Sequence, residues 1–359
     1  MNEIAHATML YSSSYGVQRI IWSFSSDSRL FQPAAYSMAP SAPVDMDGLV
    51  VAGQCLVVKS ECTSGSLVTN PIEAPFFNWL VPWWNAETAG TGSLEIFLQF
   101  ETGTAGEWSR WYPMGEWSKV SRSFSEGDEN AKVETDTLFL ANKSSRFRLK
   151  LVLQSGSGGE AGSVVVHRFG VIARDRESQR PPARHYFLKE SEITTCRRSQ
   201  MMESKGIRGR ICSPTCAAMV LEHLGSSWPT AFVAADCYDA GAKIFGNWPF
   251  NVASLWRLGA RARLDFFANA EMAAAELQAG HLLIASIHFG QGELAGAPIA
   301  ATKGHLVLMT GISRDKTGAY WILVNDPAAS SEAEVRRSYD LAEFEKAWTG
   351  LAYVIEGRR

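Results

Sequence analysis

Between Gly48 and residue 175, hydrophobic and polar positions alternate one by one. SLEIFLQFE places Leu94, Ile96, Leu98 and Phe100 on one face. RFRLKLVL does the same with Phe147, Leu149, Leu151 and Leu153, and turns Arg146, Arg148 and Lys150 the other way. SVVVHRFGVIA is apolar on both sides and predicts a strand covered on both faces. A period of two, broken at Gly, Ser and Asn, belongs to half-buried antiparallel strands. Residues 43–175 are therefore expected to form an all-β sandwich of jelly-roll type, with sheets packed face to face. Residues 1–42, Ser-rich and ending near APSAP, read as an arm or early strands.

Six tryptophans (Trp79, Trp83, Trp84, Trp108, Trp111 and Trp117) crowd into this region. Rings of that size are expected in the core; an exposed platform for sugar rings is the alternative. Residues 176–192 break the alternation with charges and a Pro-Pro pair and read as a linker. After it the texture changes. Helical periods occur at 214–224, 230–244, 250–258 and 270–279, and strand-like runs at 282–288, 305–312 and 320–325. Helices followed by an antiparallel sheet give a second, α+β domain over 193–359.

Composition narrows the function. With 46% hydrophobic and 20% charged residues the chain is a folded protein, and a net charge of -3 gives no reason to expect nucleic acid. No run of 18 apolar residues predicts a membrane span, and the N-terminus lacks a basic region followed by an apolar one. The cytoplasm is the default compartment on that reading. The six cysteines, at 55, 62, 196, 212, 216 and 237, contain no CxxC pair, so neither a metal nor another cofactor is expected. Cys55 and Cys62 could face each other across a tight hairpin, and a reduced, buried pair is the expected state.

The stretch GRICSPTCAAMVLEHLG carries the chemistry. Ser213 suits a helix cap, Pro214 the first turn and Gly225 the end. Cys212 then sits at or just before the N-cap, where unpaired N–H groups and the positive end of the helix dipole favour a thiolate. Cys216, one turn further, faces the helix body and reads as core. Among the histidines, His6 lies in the arm, His167 in the β region, His185 in the linker and His223 at the far end of the cysteine's own helix. His281 and His288 flank the strand LLIASI, and His305 opens GHLVLMTGI.

GHLVLMTGI and AYWILVNDP form a hairpin joined by SRDKTG. Centred on the Asp315–Lys316 pair, it makes His305 and Asp326 cross-strand partners; a slip of one residue brings Asn325 there instead. Either side chain orients an imidazole, and Pro327 ends the strand and leaves Asp326 at a rim. A helix-borne cysteine, then a sheet-borne histidine, then its orienting group is the papain-type order.

ICSPTC, GNWPFN, ELAGAPI, GHLVLMTG and VNDPAA together resemble the double-glycine-leader-peptidase-like branch of papain-like cysteine peptidases. VPWWNAET, EWSRWYPMGEWS and VETDTLFL are similar to the β-domain that precedes such peptidases in bacterial members. The resemblance implies Cys212 as nucleophile, His305 as general base and then acid, and Asp326 as orienting group. It also implies an oxyanion-hole glutamine upstream of the cysteine, which only Gln200 supplies, twelve residues ahead rather than papain's shorter interval. It implies a peptide or protein substrate and export for many members; a cell-wall peptide or glycan held by the β-domain is a further partner left open by the sequence. Trp248 is expected either to line the cleft or to fill the core. Two rivals stand beside the peptidase: a transamidase or acyltransferase working through the same thioester, and a binding protein with a vestigial peptidase domain.

Overall fold

The strands anticipated from the alternation are present, and several run longer than the pattern suggested. A computed structural model describes residues 8–14, 17–24, 37–39, 44–103, 106–156, 161–180 and 188–359. His6, His185 and the Pro-Pro centre of the expected linker lie outside the described residues. The chain divides into two compact units: Met1–Gln179 with Asp239–Lys243, and Arg180–Tyr238 with Ile244–Arg359.

The regular structure described in the first unit is entirely β, and its strands pair antiparallel in one connected network of fourteen. Its main path runs Tyr112–Trp117, Ser93–Phe100, Thr137–Gln154, Ile72–Gly90, Gly162–Arg174, Val17–Ser23, Thr8–Ser14 and Ser37–Ala39. The two separate sheets expected of a sandwich are not seen in the hydrogen bonding. Thr137–Gln154, 18 residues long, pairs near its start with Ala131–Thr135 and Ile72–Gly90. Near its end it pairs with Ser93–Phe100 and Ser64–Thr69. Register shifts after Phe139 and Ser144 let one strand change partners in this way.

The alternating residues pack as read: Leu94, Ile96, Leu98, Phe147, Leu149, Leu151 and Leu153 are all fully buried. Of the six tryptophans, Trp83, Trp84 and Trp117 are core, and Trp79, Trp108 and Trp111 are half-buried. The Arg148 guanidinium lies 4.5 Å from the Trp108 centroid and 5.2 Å from that of Trp111, and Lys150 lies 4.9 Å from Trp111.

In the second unit an antiparallel sheet orders its strands Ala260–Phe266, Trp348–Arg358, Leu282–Phe289, Thr302–Arg314, Tyr320–Asn325 and Arg336–Asp340. Within the expected linker, Leu188 packs into the core of this unit and Ser191–Glu192 pair with Ile312 and Gly311. Five α-helices accompany the sheet among the described residues: α1 (Cys212–His223), α2 (Thr230–Asp236), α3 (Trp248–Leu258), α4 (Ala270–Gln278) and α5 (Leu341–Ala347). The expected helix over 230–244 stops at Asp236, because Asp239 accepts the N–H groups of Gly241 and Ala242 and turns the chain. No helix among the described residues is long and apolar enough to cross a membrane.

Arg263 is fully buried in this unit. Its guanidinium bonds Asp265, Glu276 and Glu356, so two strands and α4 share one cation. A buried charge is tolerable only when paired and hydrogen-bonded in this way.

Candidate active site

The cysteine's helix begins at Cys212 itself. Ile211 is the N-cap and makes no side-chain capping bond. Ser213 is therefore not the cap that the sequence suggested. Its hydroxyl, fully buried, donates to Asn251 Oδ1 at 2.7 Å and lies 3.3 Å from the Tyr353 hydroxyl. Asn251 Nδ2 in turn donates to the carbonyls of Phe245 and Asn247, both at 2.8 Å. This chain of polar contacts fixes the start of α1 against the start of α3, and so fixes where the half-buried Cys212 sits. Trp248 spends its ring on Tyr353, with centroids 5.0 Å apart.

The histidine comes from the sheet. His305 lies in Thr302–Arg314, opposite Ile287 on the neighbouring strand. Its Nε2 is 2.8 Å from Asp326 Oδ1, and both side chains are buried. The straight cross-strand pairing expected for these two residues is not how they meet. Asp315 accepts the N–H groups of Thr317 and Ala319, and Gly318 takes φ +93, so the turn spans five residues and is centred on residue 317. A register shift between Met309 and Gly311 then moves the pairing again, and Leu308 faces Asn325. The strand ends at Asn325, and His305 reaches Asp326 diagonally along the sheet. Asn325, the other candidate, points elsewhere: its Nδ2 donates to Thr195 Oγ1 at 2.8 Å and to the Cys196 carbonyl at 2.9 Å.

Asp326 has more partners than the histidine. The Ala328 N–H donates to Oδ1 at 2.9 Å, and the hydroxyl of fully buried Tyr339 donates to Oδ2 at 2.7 Å. Tyr339 escaped the sequence reading. The only signal available was a lone tyrosine in RRSYD, a strand too polar to be recognised from periodicity.

The electrostatics of the cluster are cooperative. Burial pushes the Cys212 thiol up, but the His305 hydrogen bond and charge, with the backbone N–H groups of Leu306 and Ser213, hold it below the usual thiol range. Burial works against a charged His305, and the Asp326 carboxylate outweighs it with help from Cys212, raising the imidazole to about 10. Asp326, despite its burial, is held below the ordinary carboxylate range by His305 first and then by Tyr339 and the Ala328 N–H. Cys216 behaves oppositely. It is buried, its thiol donates to the Leu306 carbonyl at 3.5 Å, and burial followed by the charges of Cys212 and Asp326 pushes it well up. No group of His, Cys, Asp or Glu suited to a metal ion occurs among the described residues.

Gln200 sits in a short 3-10 turn, Gln200–Met202. Its backbone N–H donates to the Pro327 carbonyl at 2.8 Å, and the neighbouring Ser199 hydroxyl bonds the Ala329 carbonyl. The Gln200 side chain is buried, and its Oε1 has no hydrogen-bond partner.

A helix-borne thiol, a sheet-borne imidazole and a buried carboxylate, in a unit that follows an all-β domain along the chain, mark a cysteine-peptidase-like protein. Residues 193–355 match the Peptidase C39-like family and residues 59–174 match the Peptidase C39 N-terminal domain, so the likeness to C39 peptidases extends over both stretches. Among solved structures it is similar to a double glycine motif protease from an AMS/PCAT transporter in complex with the leader peptide. That match has 17% identity and a TM-score of 0.30, covering 46% of this chain and 94% of that one. A putative C39-like peptidase from Bacillus anthracis matches at 15% identity and a TM-score of 0.33, covering 46% and 97%. The peptidase domain of Streptococcus ComA, a bifunctional ABC transporter involved in a quorum sensing pathway, matches at 15% identity and a TM-score of 0.30, covering 48% and 99%. No curated protein matches the chain.

Proposed function

We propose that the protein is a papain-like cysteine peptidase that cleaves peptide or isopeptide bonds through a thioester on Cys212. The observation that carries this reading is the buried His305–Asp326 bond of 2.8 Å, with the Cys212 thiol hydrogen-bonded to the same imidazole. The thiolate–imidazolium pair is the resting state that those shifts support. The thiolate attacks the substrate carbonyl, and His305 delivers its proton to the leaving amine. Neutral His305 then takes a proton from water, which attacks the thioester and releases the acid. Asp326 keeps Nε2 occupied and directs Nδ1 to the sulfur.

The oxyanion is assigned to the backbone N–H of Cys212 and the side-chain amide of Gln200. Two observations support Gln200. Its backbone is tied one residue beyond Asp326, and its buried amide has an unsatisfied end that a half-turn of the amide group exchanges for the nitrogen. Chemistry at a helix N-terminus without a side-chain cap also leaves first-turn N–H groups for a ligand.

The test is digestion of an unbiased peptide library by the wild type, Cys212→Ala and His305→Ala. Cleavage by the wild type alone supports the peptidase. Cleavage that survives Cys212→Ala, or an absence of cleavage combined with Cys212 alkylation by iodoacetamide no faster than that of the other thiols, overturns it.

A further inference from the structure

A second cysteine–histidine–carboxylate arrangement lies in the β-domain, built from three adjacent strands. Cys55 opens the strand Cys55–Val58, directly after a two-residue hairpin in which Gly53 takes φ +63. Its Sγ is 3.6 Å from His167 Nδ1, and His167 Nε2 is 2.9 Å from Glu87 Oε1. Glu87 belongs to Ile72–Gly90 and His167 to Gly162–Arg174, the strand between the other two. Val166 and Arg168 pair with consecutive residues, Ala86 and Asn85, so His167 is the extra residue of a β-bulge. A bulge of this kind re-aims one side chain without disturbing the core. Thiol and carboxylate lie against opposite nitrogens of the ring, which suits proton relay rather than chelation of one ion.

This cluster differs from the Cys212 site in two respects that decide its chemistry. It is open to solvent, with the His167 and Glu87 side chains 19% and 35% exposed against 5% and 1% for His305 and Asp326. Cys55 also sits on a strand next to a hairpin, with no helix N-terminus to supply oxyanion donors. A thiol activated by an oriented imidazole, reachable from water but lacking an oxyanion hole, suits attack on sulfur rather than on carbonyl carbon. Thiol–disulfide exchange spreads its charge over the sulfurs and needs only a thiolate and a proton for the departing thiol.

We propose that Cys55 is a reactive thiol that forms a mixed disulfide with low-molecular-weight disulfides, with His167 as its base and Glu87 as the group that orients His167. His167 takes the Cys55 proton and the sulfur attacks one sulfur of the small disulfide. The S–S bond breaks and a Cys55 mixed disulfide forms. The departing thiolate takes the proton from His167 and leaves as a free thiol. Oxidising equivalents come from the small disulfide, so no other reactant is consumed.

The test uses the full chain carrying Cys212→Ala, so that the other activated thiol does not compete, treated with limiting oxidised glutathione and mapped by mass spectrometry. Cys62, also half-buried and without a hydrogen-bonded imidazole among the described residues, is the internal reference. Cys55 is expected to react about tenfold faster than Cys62 at neutral pH, and His167→Asn is expected to bring it down to the Cys62 rate, with Glu87→Gln intermediate. Equal rates at the two cysteines, or a Cys55 rate untouched by His167→Asn, overturn the proposal. Should His167→Asn not fold, the pH profile of the parent decides. A Cys55 rate that stays nearly level from about pH 8 to 6 supports the activated thiol, whereas a fall of about tenfold per pH unit, as for an ordinary thiol titrating near 8.5, overturns it.

Discussion

The backbone N–H of Gln200 donates to the carbonyl of Pro327 across 2.8 Å, one residue beyond Asp326. Gln200, the proposed oxyanion donor, and Asp326, the proposed orienting acid, thus lie on two segments tied together by one backbone hydrogen bond. Gln200→Ala is expected to lower kcat by about a hundred- to a thousand-fold, the usual effect of removing one oxyanion donor, with KM changed little. The expected melting temperature is close to that of the wild type. Steady-state kinetics on a cleaved peptide check this, and a variant with full kcat removes Gln200 from the mechanism.

Tyr339→Phe keeps the ring stacked on Phe344, at 6.4 Å between centroids, and deletes only the hydroxyl that donates to Asp326. A hydrogen bond to a buried charge contributes roughly 1.5–3 kcal/mol. Urea unfolding is expected to show a loss of that order. With Asp326 less firmly oriented, kcat falls as well. A variant as stable and active as the wild type shows the contact to be incidental.

Asp326→Asn keeps an acceptor beside His305 but removes the charge that does most to lift its titration to about 10. The alkaline limb of the pH–kcat/KM profile is expected to move to lower pH, while the acid limb, set by the thiol, stays below the ordinary thiol range. An unmoved alkaline limb assigns that limb to another group.

Stability responds to pH through the same pair. His305 titrates higher folded than its ordinary 6.5, so its contribution is fully present below that value and fades as pH rises through about 10. Asp326 titrates lower than its ordinary 3.8, so its contribution is present above that value and is lost as pH falls through its folded value. Comparing melting temperatures of the wild type and His305→Gln across pH is expected to show a gap that is widest in mildly acid to neutral solution and closes near pH 10. A gap that widens at alkaline pH contradicts the assignment.

Cys216→Ala is expected to leave catalysis within a few-fold of the wild type, because the thiol is buried, held high and engaged with the backbone of Leu306 and Leu308. Its cost is stability, about 1 kcal/mol for a lost buried contact. Active-site titration with iodoacetamide checks that Cys212 still labels and that residue 216 had not contributed.

Much of this was legible in the sequence, and the omissions have physical reasons. Period two exposed the strands at 93–100 and 137–154 because each buries one face against a dry core. It failed for Ala260–Phe266, where Arg263 and Asp265 occupy buried positions because they bond each other and Glu276 and Glu356 take up the rest of the guanidinium. The hairpin register was misjudged because the side chain of Asp315 builds a longer turn than composition reveals. His305 and Asp326 were nonetheless singled out together, since a shift of two positions keeps a residue on the same face of a strand. The cap was misassigned to Ser213 because its partners, Asn251 and Tyr353, lie far along the chain and are invisible to local pattern.

Gly311 shows how far the site's accuracy extends from the reacting groups. A methyl group there would lie 2.0 Å from the Ser191 carbonyl, so only a bare backbone lets residues 191–192 lie alongside. That edge segment leads directly into the stretch carrying Gln200. A single carbon atom added at position 311 would lift the lead-in off the sheet and carry the glutamine out of alignment. On the proposed mechanism the resulting protein would keep its thiol and turn over slowly, a lesion that inspection of Cys212, His305, Asp326 and Gln200 alone would never locate.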